Sequence, residues 1–143
     1  MALCLASSQL MAQSDSPLDA KVKAVLSKFP SQNEAALKKN MEELAQLGKP
    51  GLVQIASMLT PPGKGDNTKI QFALGGFTYY ASHAGKEALR KEAAEAYGEA
   101  LSKVNDPDSK NFLIYQLQTV GKDESVEVLK GYLKDERLSQ PAA

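Results

Sequence analysis

From Ser16 onward the apolar residues of this chain recur every three or four positions, the period of a helix with one buried face. Leu18, Val22, Val25, Leu26 and Phe29 form a first stripe. Ser16 is placed to cap that helix, Pro17 to open it, Asp19 sits three residues past the cap, and Pro30 stops it. A second stripe, Ala36, Leu37, Met41, Leu44 and Leu47, follows Ser31 and Glu34 at capping-box spacing and ends at Gly48. Pro50 opens a short helix with Leu52, Ile55, Ala56 and Leu59 inward. TPPGKGDN is a flexible loop by composition, and Asn67 is placed to cap a helix from Thr68 to Ser82. Gly75 and Gly76 inside that helix each cost roughly 1 kcal/mol relative to Ala. The pair therefore predicts close packing by a neighbour or a kink. The run FTYY carries strand propensity as well. Leu89, Ala93, Ala96, Tyr97, Ala100, Leu101 and Val104 give the clearest stripe, with Lys, Arg and Glu opposite. Asp106 and Pro107 begin a helix with Phe112, Leu113, Leu117 and Val120 inward, stopped by Gly121. Asp123 caps the next, with Val126, Leu129, Tyr132 and Leu133 inward, and SQPAA reads as the start of one more.

These elements make about seven helices joined mostly by short turns, which favours an all-α fold of antiparallel neighbours. They fall into pairs. First members begin near Ser31, Asn67, Asp106 and Ser139, second members near Pro50, Lys86 and Asp123. The spacing of about 32 to 40 residues lies in the range of helical-pair solenoids. LGKPGLVQIASML and VGKDESVEVLKGYL share a Gly-Lys turn, after which Leu52, Ile55 and Leu59 match Val126, Leu129 and Leu133.

Gly121, Asp123, Val126, Leu129, Leu133, Asp135, Leu138 and Ala142 together resemble the short HEAT-like repeat, also described as the bilin-lyase (PBS lyase) type. The resemblance is good from Gly121 to Ala143, fair from Gly48 to Ala73, and poor from Gly85 to Val104, where the helix is longer than the repeat usually gives. It implies antiparallel helix pairs stacked in a right-handed, short HEAT-like α-solenoid, with residues 14–143 as a single repeat domain. It implies no bilin chemistry. A terminal repeat normally carries a polar cap. RLSQPAA is not one, so the array is expected to continue past Ala143, and its open C-terminal repeat is a candidate for self-association.

The first thirteen residues, MALCLASSQLMAQ, carry no charge. They read like the rear half of a secretory signal peptide that lacks its basic start, with cleavage after Ala12; the alternative is a disordered tail. On the first reading the protein is exported, to the periplasm or cell envelope; otherwise it is cytoplasmic. Cys4 is the single cysteine, so the remainder has neither disulfides nor thiolate metal ligands.

A chain of 143 residues with 43% apolar and 24% charged residues can bury a core of its own. Its net charge of zero, with no basic stretch, argues against a nucleic-acid-binding face. No stretch is apolar enough to span a membrane. His83 is the lone histidine, too little for a zinc site, and adjacent Ser82 does not make a triad. PPGKGDNTK lacks the spacing of a phosphate loop. No catalytic, metal or cofactor-binding residue is assigned. Tyr80, Tyr97 and Tyr132 fall on the apolar stripes; Tyr79 and Tyr115 fall off them. With His83 these two form the candidate partner surface. The expected role is non-enzymatic: a protein-interaction or scaffold module. The alternatives are an accessory module of a larger exported enzyme acting on carbohydrate, and a self-contained helical enzyme built on a deep pocket.

Overall fold

The computed structural model describes residues 16–143. The signal-peptide reading of residues 1–13 lies outside them. Among the described residues are seven helices: α1 (Pro17–Leu26), α2 (Glu34–Ser57), α3 (Thr68–Ala81), α4 (Glu87–Leu101), α5 (Pro107–Val120), α6 (Asp123–Tyr132) and α7 (Ser139–Ala142). No strand occurs among the described residues, and FTYY is helical. No helix among them is long and apolar enough to cross a membrane.

Helix starts follow from local hydrogen bonds. At α1 the Ser16 hydroxyl accepts the Asp19 N–H at 3.2 Å, and the Asp19 carboxylate accepts the Ser16 N–H at 2.9 Å. At α5 the Asp106 carboxylate accepts the Ser109 N–H at 2.8 Å. Three other starts differ from the sequence expectation. Asn33, not Ser31, caps α2 by accepting the Ala36 N–H at 2.9 Å, because the Ser31 hydroxyl already accepts from Asn40 at 2.9 Å. Asn67 precedes α3 without capping it. Its amide is spent on Thr60, donating to that residue's carbonyl at 2.7 Å and accepting its N–H at 3.0 Å. The TPPGKGDN loop is thus tied at its ends rather than a free connection. Asp123 is the first residue of α6, and Lys122 takes the cap position.

Gly48 interrupts the helix, as its place at the end of the second stripe predicts. It adopts φ 66°, ψ −173° inside α2, and the helix resumes through Pro50 to Ser57. The two expected helices are therefore present, and they meet end to end across a kink at Gly48 within α2. Gly76 answers the close-packing expectation: a Cβ there would lie 3.0 Å from Met41 Cε. At Gly75 a Cβ would meet open space.

Each helix packs on the next in the chain and on the next but one. These contacts are α1 with α2 and α3, α2 with α3 and α4, α3 with α4 and α5, α4 with α5 and α6, α5 with α6 and α7, and α6 with α7. Helices further apart in order share at most marginal contact among the described residues. The core runs through this series, with Leu44, Leu52, Ile55, Leu74, Phe77, Tyr97, Leu101, Leu113 and Leu117 fully buried. Each such side chain stabilises the fold by roughly 1.5–3 kcal/mol relative to exposure. Tyr97 satisfies its hydroxyl by donating to the Leu74 carbonyl at 3.2 Å and accepting from Thr78 at 3.0 Å. Burial raises its phenol above the usual tyrosine range.

Three inward assignments fail, and Leu37 of α2 is one of them, at 40% exposure. Val126 and Leu133 are each 44% exposed, while Leu129 and Tyr132 are half-buried. Leu138 and Ala142, by contrast, are buried. Helix α6 packs on α4, α5 and the four-residue α7, which do not cover it fully, so part of its apolar stripe stays open. Arg90, placed on the solvent face of α4 by the pattern, is buried at 8% exposure because α5 and α6 close over it.

Candidate functional site

Opposite its core stripe, α3 carries a second set of residues at helical spacing: Phe72, Gly76 and Tyr79, with His83 just past its end. Phe72 is 53% exposed and Tyr79 71%. The first turns of α2 face them with Leu37 and Met41, and the bare Gly76 lets the two helices meet there. The result is an open apolar depression of about 370 Å³, floored by Met41 and Gly76 and walled by Leu37, Tyr79, Tyr80 and His83. Leu37 also walls a smaller depression of about 230 Å³ with Phe29, Pro30 and Phe72. The two hollows are therefore joined along one strip with Leu37 as the ridge between them.

The aromatic end of the strip is ordered by its own contacts. The Tyr79 and His83 rings meet edge to face, 4.6 Å apart at 85°. His83 Nδ1 lies 2.8 Å from the Tyr79 carbonyl oxygen. A carbonyl only accepts, so Nδ1 carries the proton in this contact and Nε2 is left toward solvent. Lys86 Nζ sits 4.4 Å from the centre of the Tyr80 ring, a cation–π contact. Lys38 lines the same hollow. Neither lysine is ion-paired with a carboxylate among the described residues, and Glu34 is the one acidic residue of the lining.

The structure thus brings Tyr79 and His83 together but not Tyr115. Tyr115 projects from α5 at 57% exposure, outside both hollows, and makes no ring contact among the described residues. Ser82 donates its hydroxyl to the Thr78 carbonyl at 2.7 Å and is not aimed at His83. No group of three or more His, Cys, Asp or Glu is gathered for a metal among the described residues. Sequence reading missed Phe72, Lys38 and Lys86 and assigned Leu37 to the core. The available signal was the seven-residue spacing of Phe72 and Tyr79, which puts two large aromatics together on the face opposite Ile70, Ala73 and Phe77.

Comparison with known protein families, curated proteins and solved structures finds no match for this chain.

Proposed function

We propose that this chain is a non-enzymatic protein-interaction module of stacked helix pairs of HEAT-like type, exported from the cytoplasm. The observation that carries the reading is the contact ladder, in which every helix packs on its next two neighbours and, among the described residues, makes at most marginal contact with any more distant one. Odd helices then form one row and even helices another, with α1/α2, α3/α4 and α5/α6 as the pairs. The pairs α3/α4 and α5/α6 are those of the sequence repeat, and the earlier repeat pair, starting near Ser31 and Pro50, lies within α2 on either side of the Gly48 kink. An open stack of this kind works by presenting a rigid surface to a partner rather than by enclosing a substrate. The strip of Phe72, Leu37, Tyr79 and His83 supplies apolar surface suited to that use.

The test is differential capture from the source cell envelope on immobilised protein. Wild type and a Tyr115→Ser variant should retain a common partner that a Leu37→Ser/Tyr79→Ser variant loses. All three substitutions are at exposed positions, so the fold should survive them. Equal retention by all three proteins would overturn this surface as the working one.

A further inference from the structure

Resting on that reading, we propose that the α2/α3 strip takes an acidic amphipathic helix of a partner protein, with apolar side chains seven residues apart in its two hollows. Three features of the strip define this partner. The hollows share Leu37 as a wall, so one occupant spans both. Phe72 and Tyr79, one at each hollow, are seven residues apart on α3, about 10 Å along the helix axis. A helix laid along α3 repeats that distance with apolar residues at i and i+7, which is the helix-in-groove mode of recognition. Finally, Lys38 and Lys86 border the larger hollow without carboxylate partners, against the single Glu34. An acidic flank on the incoming helix meets that excess charge, and a basic flank is repelled.

Gly76 leaves room at the floor, where a Cβ would stand 3.0 Å from Met41 Cε. Met41 is an unbranched, adaptable side chain that can shift to fit what enters.

The experiment is fluorescence anisotropy with labelled sixteen-residue helical peptides on the intact chain. One peptide carries two leucines seven residues apart flanked by glutamates. A second carries lysines in place of the glutamates. A third carries serines in place of the leucines. The glutamate peptide should bind, weaken at least ten-fold on Lys86→Glu/Lys38→Glu substitution, and lose affinity as salt is raised. The lysine and serine peptides should bind at least ten-fold more weakly. Equal binding of glutamate and lysine peptides would overturn the charge argument, and no binding of the glutamate peptide at millimolar concentration would overturn the proposal outright. So would binding of anionic phospholipid vesicles in its place, which would make the strip a lipid contact. If the peptide fails while Leu37→Ser/Tyr79→Ser still abolishes partner capture, the acidic-helix proposal falls and the interaction reading stands. If capture is unchanged too, both fall.

Discussion

The guanidinium of Arg90 serves acceptors on three elements. Its Nε and Nη2 reach Glu87 of its own helix at 3.0 and 2.9 Å, Nη1 reaches Glu124 of α6 at 2.6 Å, and Nη1 also donates to the Val120 carbonyl that ends α5. The side chain is only 10% exposed, so these bonds are poorly replaced by water. An Arg90→Met substitution keeps the apolar bulk but leaves the Val120 carbonyl unpaired, and should cost about 2 kcal/mol in urea denaturation. A loss within a few tenths of zero would show that α6 does not depend on this contact. The same cluster sets an acid limit. Hydrogen bonds from Arg90 hold both Glu87 and Glu124 below the ordinary glutamate value of 4.5, with Lys122 adding to the effect at Glu87. A carboxylate with a depressed folded-state pKa contributes stability that is full above its unfolded pKa and is lost as pH falls through the folded one. Stability of the wild type should therefore decline from about pH 5 downward, and more shallowly in Arg90→Met. Equal slopes in the two proteins would assign the acid loss to other carboxylates. None of this was legible in the sequence. Arg90 sits among lysines and glutamates in RKEAAEAYGEA, and helical spacing alone cannot show that α5 and α6 cover that side of α4.

At the scale of the element, the kink in α2 depends on one backbone geometry. Gly48 combines positive φ with extended ψ, a region open essentially to glycine. No neighbour blocks a side chain there, since a Cβ would come no nearer than 3.6 Å to Pro50 Cδ. A Gly48→Ala variant should therefore lose about 1–3 kcal/mol from backbone strain alone. Gly75→Ala is the matched control: it lies in regular helix with open space at its Cβ, and should gain up to about 1 kcal/mol. If both variants shift stability in the same direction, conformation is not what makes Gly48 necessary. Gly48 and Pro50 announced an interruption in the sequence, and the helical stripes located α1 to α6, because a buried face repeats at a fixed period, while α7 was announced by SQPAA. Caps were less legible. Ser31 and Asn67 have the right chemistry, but Asn40 and Thr60, respectively, claim their side chains first. The stripe of α6 misled for another reason. An apolar face announces that burial is favourable, not that a neighbour is present to provide it, and Val126 and Leu133 are left open. The same limit hid the α2/α3 strip, where Leu37 belongs to the stripe of its helix and yet lies at 40% exposure.

For the molecule as a whole, a ladder confined to near neighbours makes stability local. In a closed bundle the first and last helices share contacts, so opening one end loosens the other. Here α6 and α7 pack on α4, α5 and each other, and nothing among the described residues links them substantially to α1, α2 or α3. Within α6 the single buried residue is Ser125, whereas α4 buries seven, including Tyr97 and Leu101. The main fixed points of the α6–α7 segment are the Arg90–Glu124 pair and the buried Leu138 and Ala142. Such a segment should open as its own unit, well below the free energy of global unfolding. Native-state hydrogen exchange read by mass spectrometry checks this directly. Amides of residues 123–142 should exchange at least a hundred-fold faster than those of residues 93–101 and show little dependence on low urea, since their opening exposes little surface. Arg90→Met should accelerate the first group and leave the ratio of protection between α2 and α4 unchanged. If both groups instead exchange together, with one free energy and one urea dependence, the chain behaves as a single cooperative bundle and the repeat-like reading of its contacts loses its physical basis.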